Sequence, residues 1–520
     1  MTPQRNTLGN TLGNALGKAL ADALHRIQEA AKGDVIRTSD MSRADRERAQ
    51  AAGWLHPIIN GWYIVGSEAA VQPGSTMLLY SHFWPFMQHY LNERFGEGYC
   101  LNAEASLDLH VGNTTVPRQL IVMTSEGGAT NIQMPDNTSV VTYPDPGNLP
   151  EKAEVHNGVR VMPLAVALSR AMPVYFRANP VNAEIALNLV TESDLSRALI
   201  TGRNTRAASR LMGAYRFLGN EPRAQRIKND MQAGVSRISP VNPFTTEQPL
   251  LGSLKRVKSP QVARLTALWK KMRPAVLKHF PQEDKPTEIG RYMASIEDIY
   301  QHDAFNSLSI EGYRVTPEII ERVRAGDWNP DRTGDREHVA AMAAKGYFDA
   351  FQRVKQAVQN VLQGANPTTT AQSGLQDWYR ALFNASVQAG ILEPVDLAGY
   401  RNRPVYIRGS IHVPPTHEAL MDCMDTLFDL LENEESGAVR AILGHFIFVF
   451  VHPYPDGNGR LGRFLMNLML ASGGYPWTVI RLKKRDVYMN ALEQASANQD
   501  IGPFADFVAQ EMRINWSKRK

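Results

Sequence analysis

His452-Pro453-Tyr454-Pro455-Asp456-Gly457-Asn458-Gly459-Arg460-Leu461-Gly462-Arg463 is the stretch on which the reading of this chain turns. An apolar run from Ala441 to Val451 leads into it, and a second apolar-periodic segment, Leu461 to Ala471, leads out. That pattern predicts helix, polar loop, helix, with the loop at the mouth of a buried helix pair. Gly457-Asn458-Gly459 can take left-handed backbone angles that aim successive amide N–H groups at one spot, an anion nest. The nest feeds a helix N-terminus, whose unpaired N–H groups and dipole also favour phosphate. Arg460 and Arg463, three apart, share a helix face and offer planar forks of donors. Asp456 supplies a carboxylate suited to Mg2+, and His452 an imidazole able to take a proton from a hydroxyl. A DGNG turn alone is ordinary. All these groups at this spacing between two apolar helices point to phosphoryl or nucleotidyl transfer.

The loop resembles the Fic-family signature, HPFx(D/E)GNGRxxR, with Tyr454 where phenylalanine is usual, a ring-for-ring exchange. The similarity continues through Phe464-Leu465-Met466-Asn467, Gly474-Tyr475-Pro476, Arg485-Asp486-Val487-Tyr488 and Asp500-Ile501-Gly502-Pro503-Phe504. It covers most of the last half of the chain. The resemblance implies an all-α Fic fold that transfers AMP from ATP to a Ser, Thr or Tyr hydroxyl of a protein, this chain itself included. ATP is then the substrate and Mg2+ the cofactor. By the same resemblance His452 is the catalytic base and Asp456 the metal ligand. Gly457, Asn458, Gly459, Arg460, Leu461, Gly462 and Arg463 form the nucleotide-binding loop, and Tyr488 is the aromatic near the adenine.

Two further segments fit that picture. Ser307-Leu308-Ser309-Ile310-Glu311-Gly312 matches the family's inhibitory-helix pattern, (S/T)xxxE(G/N), on a helix expected from about Ile289 with Gly312 as its stop. Ser307 and Glu311 are the inhibitory residues, Glu311 competing for the Arg463 guanidinium. The stretch Tyr400 to Val413 alternates apolar residues around Arg408-Gly409-Ser410 and reads as a β-hairpin. In Fic proteins this place is the flap, where Val405, Tyr406 and Ile407 would register a target by backbone pairing.

Composition sets the outer limits. A 520-residue chain can hold two to four domains, and 43% hydrophobic with 21% charged residues is ordinary for a globular protein. A net charge of +4 does not by itself argue for nucleic acid. Two cysteines, Cys100 and Cys423, exclude a disulfide framework and suit a cytoplasmic location. No apolar run reaches the length of a membrane span. The string Gly13-Asn14-Ala15-Leu16-Gly17-Lys18 is one residue short of a phosphate loop and is followed by Ala19 rather than a hydroxyl.

Toward the amino terminus, leucines recur every fourth position from Leu8 to Leu24, a first helix. Asp34 to Met41 offers a strand and a capped turn, Ser42 to Ala52 a helix bearing Arg43, Arg46 and Arg48, and Trp54 to Val65 a hairpin broken at Asn60-Gly61. The order reads as helix, helix, helix, wing: a winged helix-turn-helix whose three arginines would face DNA. Residues from about Gly33 to Val65 resemble the winged domain of AbiEi-type antitoxins, and the region around Tyr99 to Leu107 resembles their second domain. Asp136 to Gly158 reads as a loop, Pro163 to Met231 as helical, and the proline-rich 236–259 as a linker.

The expected architecture is multidomain and mainly α. A winged helix-turn-helix spans 1–70, an α/β accessory region 71–235, the linker 236–259, and the Fic domain 260–520 with its inhibitory helix around 289–312. The leading function is an auto-inhibited protein adenylyltransferase. The alternatives are a DNA-binding, antitoxin-like regulator with a nucleotide-sensing Fic core, or a deAMPylase. Expected partners are a protein target, double-stranded DNA and a second copy of the chain forming a homodimer.

Overall fold

The computed structural model describes residues 5–66, 77–232, 238–253, 259–281, 288–328, 335–405, 407 and 409–517. The chain divides into two units, one formed by 1–260 with 406–413, the other by 261–405 with 414–520.

The first unit opens with the helix Arg5–Ala30, followed by β1 (Val35–Arg37), a single 3-10 turn Thr38–Asp40, the helix Arg43–Ala51, and the hairpin β2 (Leu55–Ile59) and β3 (Trp62–Val65). The three strands pair antiparallel in the order β1-β3-β2, with Asn60-Gly61 at the hairpin turn. Pro57 lies on β2, an edge strand, where its missing N–H costs no ladder bond. The strand and turn expected over Asp34 to Met41 are present as β1 and the 3-10 turn, with Val35-Ile36 a buried apolar pair that enters the sheet, so the order helix, helix, helix is not met between Arg5–Ala30 and Arg43–Ala51. A second, four-stranded sheet follows, β4 (Tyr99–Leu101), β5 (Gln119–Thr124), β6 (Thr130–Met134) and β7 (Thr138–Pro144), in the order β4-β5-β7-β6, with β5 and β7 parallel. β8 (Glu154–His156) and β9 (Val159–Val161) form a separate antiparallel pair.

The stretch 136–158, expected as a loop, thus carries an inner strand and most of a hairpin. Its turn residues hid the stretch Thr138-Ser139-Val140-Val141-Thr142, four of whose residues are β-branched and whose Val140 is buried. Helices between Leu164 and Gln232 complete the unit. The described part of the expected linker packs against them. Phe244 stacks on Phe217 with ring centroids 4.7 Å apart, and Val241 donates its N–H to Ser209 O. The Leu250 and Leu251 amides donate to the fully buried Glu184 carboxylate at 2.9 and 2.7 Å. Those bonds satisfy a buried charge and hold the segment in place.

The second unit is helical. Its helices pack around Gly437–Val451 (GAVRAILGHFIFVFV), which is apolar on nearly every side and buried accordingly. The partner helix Asn458–Ser472 runs beside it, Leu420–Glu432, Arg485–Asn498 and Gly502–Ser517 also pack on it, and Asn458–Ser472 packs in turn against Asp335–Leu362 and Pro367–Gln388. Asn366 caps the last of these, its Oδ1 accepting from Thr369 N at 2.9 Å, with Pro367 at the first helical position. No described helix is long and apolar enough to cross a membrane.

Candidate active site

Gly437–Val451 ends at His452, which sits in the left-handed region at φ 53° and turns the chain out of the helix. His452 Nδ1 lies 3.1 Å from Val449 O. A carbonyl only accepts, so Nδ1 carries the proton and Nε2 keeps the lone pair. Burial lowers the imidazole pKa, the bond to Val449 acting in the opposite direction. The ring is therefore neutral and base-competent at pH 7. Arg401, which the sequence reading did not single out, braces this corner: Nε donates to His452 O at 2.8 Å, and its own N–H donates to Pro453 O.

Tyr454 is buried and stacks on Tyr379 with centroids 4.0 Å apart. The exchange of tyrosine for phenylalanine keeps the ring packing but adds a hydroxyl, which donates to Gln376 Oε1 at 3.2 Å. Asn458 turns inward, accepting from Tyr454 N and donating to Tyr454 O, so its side chain braces the loop. Only Gly457 of the expected nest is left-handed, at φ 83°; Asn458 and Gly459 already lie in the first helical turn. Gly459 matters for space instead. A β-carbon there would stand 2.2 Å from Glu311 Oε1 and 3.2 Å from Arg463 Nη1. Leu461 and Gly462, expected in the nucleotide loop, belong to the helix packing. Leu461 is in the core, and a β-carbon on Gly462 would press on His445 and Val449 at about 3.0 Å.

Arg463 is nearly buried, and three groups of the 289–312 segment converge on it. Nε donates to Ser307 Oγ at 2.9 Å, and Nη2 donates to Ser307 O at 3.1 Å and to Glu311 Oε1 at 2.6 Å. Burial opposes its charge, but the Glu311 carboxylate together with the Tyr488 and Tyr347 hydroxyls raises the pKa. Nη1 has no hydrogen-bond partner among the described residues. Ile289–Ile310 ends one residue before Glu311, and Gly312 follows at φ 93°. Arg485 donates to Ile310 O at 3.0 Å, and Leu482 N to Asn306 Oδ1 at 2.7 Å, so two more contacts hold that helix.

Arg460 is buried between the Tyr313 and Phe383 rings, 5.1 and 5.0 Å from their centroids, with Nη2 3.1 Å from Asp456 Oδ2. Its Nε, like Arg463 Nη1, is buried without a partner. Two guanidinium atoms lacking acceptors beside a helix N-terminus suit an anion with several oxygens. Asp456 keeps a side chain 60% exposed and is the carboxylate that would hold a Mg2+ ion. Tyr488 is buried, its hydroxyl 2.9 Å from His445 Nε2 and its ring tilted over Phe504 and Phe507. Burial drops the His445 pKa to about 4, so that pair is neutral.

The expected flap falls partly outside the described residues, at Tyr406 and Arg408. Val405 and Ile407 are described without strand pairing; Ser410 N donates to Ile407 O, a turn closed at Gly409. Residues 411–413 pair with 114–116 of the first unit: Val116 N donates to Ile411 O, Val413 N to Thr114 O, and Thr115 bridges His412. The expected hairpin is thus replaced, among described residues, by a turn whose outgoing arm joins another segment. Of the candidate DNA-facing arginines, Arg43 pairs with Glu47 at 2.7 Å and Arg48 lies 3.5 Å from Asp45. Asp45 is also held by Arg26 at 2.7 Å. Acidic partners on the same helix offset the charge that a phosphate backbone would need.

Residues 370–470 match the model of the Fic/DOC family, so the chain carries a Fic domain there. The chain is 38% identical over 125 residues to the protein adenylyltransferase Fic of Nematostella vectensis, 23% of this chain and 29% of that one. It is 37% identical over 124 residues to the Drosophila willistoni protein of the same name, 23% and 24% of the two chains. It thus spans under a third of the length of these relatives. Among solved structures, Fic-1 (residues 134–508) of C. elegans is similar with a TM-score of 0.36 and 16% identity, over 68% of this chain and 96% of that one.

Proposed function

We propose that this Fic-domain chain is a protein adenylyltransferase, moving AMP from ATP to a Ser, Thr or Tyr hydroxyl, and that Glu311 holds it idle. The observation that carries the reading is the seat of Glu311. Its carboxylate lies against Gly459 and on Arg463, where an anion would meet the helix N-terminus. A place that accepts one carboxylate beside two unsatisfied guanidinium atoms is a place for phosphate.

His452 Nε2 takes the proton of the target hydroxyl. The oxygen bonds to the α-phosphorus as the bond to pyrophosphate breaks, and Arg460 and Arg463 hold the charge that leaves. Asp456 would hold Mg2+, which when bound neutralises phosphate charge. The relatives named protein adenylyltransferase Fic support the same chemistry for the 370–470 segment.

Intact mass after incubation with ATP and Mg2+ tests the reading. Glu311→Gly should gain AMP on itself or on an added lysate protein at least about tenfold faster than wild type, equivalent to ~1.4 kcal/mol of relieved competition. Glu311→Gly/His452→Ala should gain none. Modification that persists without His452 would remove the assigned base, and an unchanged rate in Glu311→Gly would remove the inhibitory role.

A further inference from the structure

Three metal-competent side chains meet in the first unit, with no part in the transfer chemistry. His110 closes the helix Ala103–His110, and Glu154 and His156 stand two apart on β8, on one face of that strand. One ligand atom from each lies within 4.8 Å of the others. The two imidazole centroids are 4.4 Å apart, and His156 Nε2 is 3.5 Å from Glu154 Oε2. β8 is fixed by pairing with β9, where Val159 and Val161 are fully buried opposite His156 and Glu154.

The buried member has its tautomer set. His110 Nε2 lies 2.7 Å from Met162 O, and since the carbonyl can only accept, Nε2 holds the proton and Nδ1 the lone pair. A backbone carbonyl bonded to one ring nitrogen is the arrangement that orients the other as a metal ligand. His156 is 37% and Glu154 48% exposed, so the open side of the cluster faces solvent. Ligand atoms bound tetrahedrally at about 2.0–2.2 Å stand roughly 3.4 Å apart, so a closure of no more than about 1.4 Å in any pair completes the set.

We infer that His110, Glu154 and His156 bind a divalent first-row cation, with Zn2+ the ion that two imidazoles and one carboxylate fit. Water fills the fourth position on the exposed side. The ion ties the end of the Ala103–His110 helix to the β8–β9 hairpin and stabilises the first unit by binding only its folded form.

The test uses the full-length chain, stripped with a chelator, desalted and titrated with Zn2+ against a chromophoric competitor. One Zn2+ per chain should bind, and Zn2+ should raise Tm. His156→Ala should lose that equivalent and the Tm rise, while Glu154→Gln should bind about tenfold more weakly. Both positions are partly exposed, and far-UV circular dichroism of the zinc-free variants checks that they fold. Failure of wild type to bind Zn2+, or retention of the full equivalent by His156→Ala, overturns the site. Neither outcome bears on AMP transfer, which is read by mass at a different set of residues.

Discussion

Arg463–Glu311 and Arg43–Glu47 are both arginine–glutamate contacts, 2.6 and 2.7 Å long, and their surroundings differ completely. In the first, the side chains are 4% and 28% exposed; in the second, 84% and 57%. Water competes at Arg43 for every hydrogen bond the pair makes, and salt screens what remains. Arg463 has no such substitute. Its guanidinium is sealed among Ser307, the loop and the helix, so an anion must meet it or the charge stands uncompensated. An exposed pair is therefore incidental, while a buried one is a decision about which anion occupies the site.

The largest expected effect follows from removing that buried charge. In the Glu311→Gly background, Arg463→Ala should cut AMP transfer by about a hundredfold or more, the scale of losing a desolvated charge contact to a phosphate. Using that background removes the inhibitory contact from the comparison. Transfer rates by intact mass would measure it, with thermal melts to confirm folding. A loss below tenfold would place the phosphate-binding charge elsewhere.

A smaller effect belongs to the group behind the pair. Asp303 is fully buried one turn before Ser307 and accepts from Tyr347 Oη at 2.8 Å. Burial raises its pKa to about 6, against the hydrogen bond from Tyr347 and the Arg463 charge. The raised value means the folded chain binds more protons than the unfolded chain between about pH 4 and 6. This carboxyl's contribution to stability is therefore fullest below that window and falls as pH rises through it. Asp303→Asn keeps the shape and removes the titration. Its Tm should exceed that of wild type by a few degrees at pH 7.5, and the difference should shrink toward pH 5. A constant difference across that range would mean packing, not ionisation, sets the effect.

The loop was legible because it is local: His452 to Arg463 are contiguous, and helix–loop–helix follows from the apolar runs on either side. Its finer geometry was not. Whether Gly459 bends the chain or makes room for Glu311 depends on a segment some 150 residues earlier, and nothing in DGNG separates the two. Gln376 beneath Tyr454 and Arg401 behind His452 were invisible for the same reason, since neither lies at a spacing that marks it. In the first unit, turn-forming residues around 136–158 masked an inner strand, and prolines in 236–259 suggested freedom where Glu184 fixes the backbone. His110 with Glu154 and His156 shows the limit plainly: 44 residues and a hairpin separate them, so only the fold brings them together.

The exposed pair should give the smallest response, and that makes it the control for the buried one. Arg43→Ala and Glu47→Ala each remove one partner of a contact as short as Arg463–Glu311, yet each partner left behind can turn to water. Tm should move by no more than about 1 °C in either variant, and AMP gain with ATP should match that of the parent chain. Salt should matter in the same proportion: raising ionic strength should erase whatever small difference remains at Arg43, while leaving the Glu311→Gly gain in place, because the buried pair is shielded from mobile ions. If Arg43→Ala instead changed transfer as strongly as Glu311→Gly does, distance alone and not burial would govern these contacts, and the account of Glu311 as the anion that keeps Arg463 occupied would lose its basis.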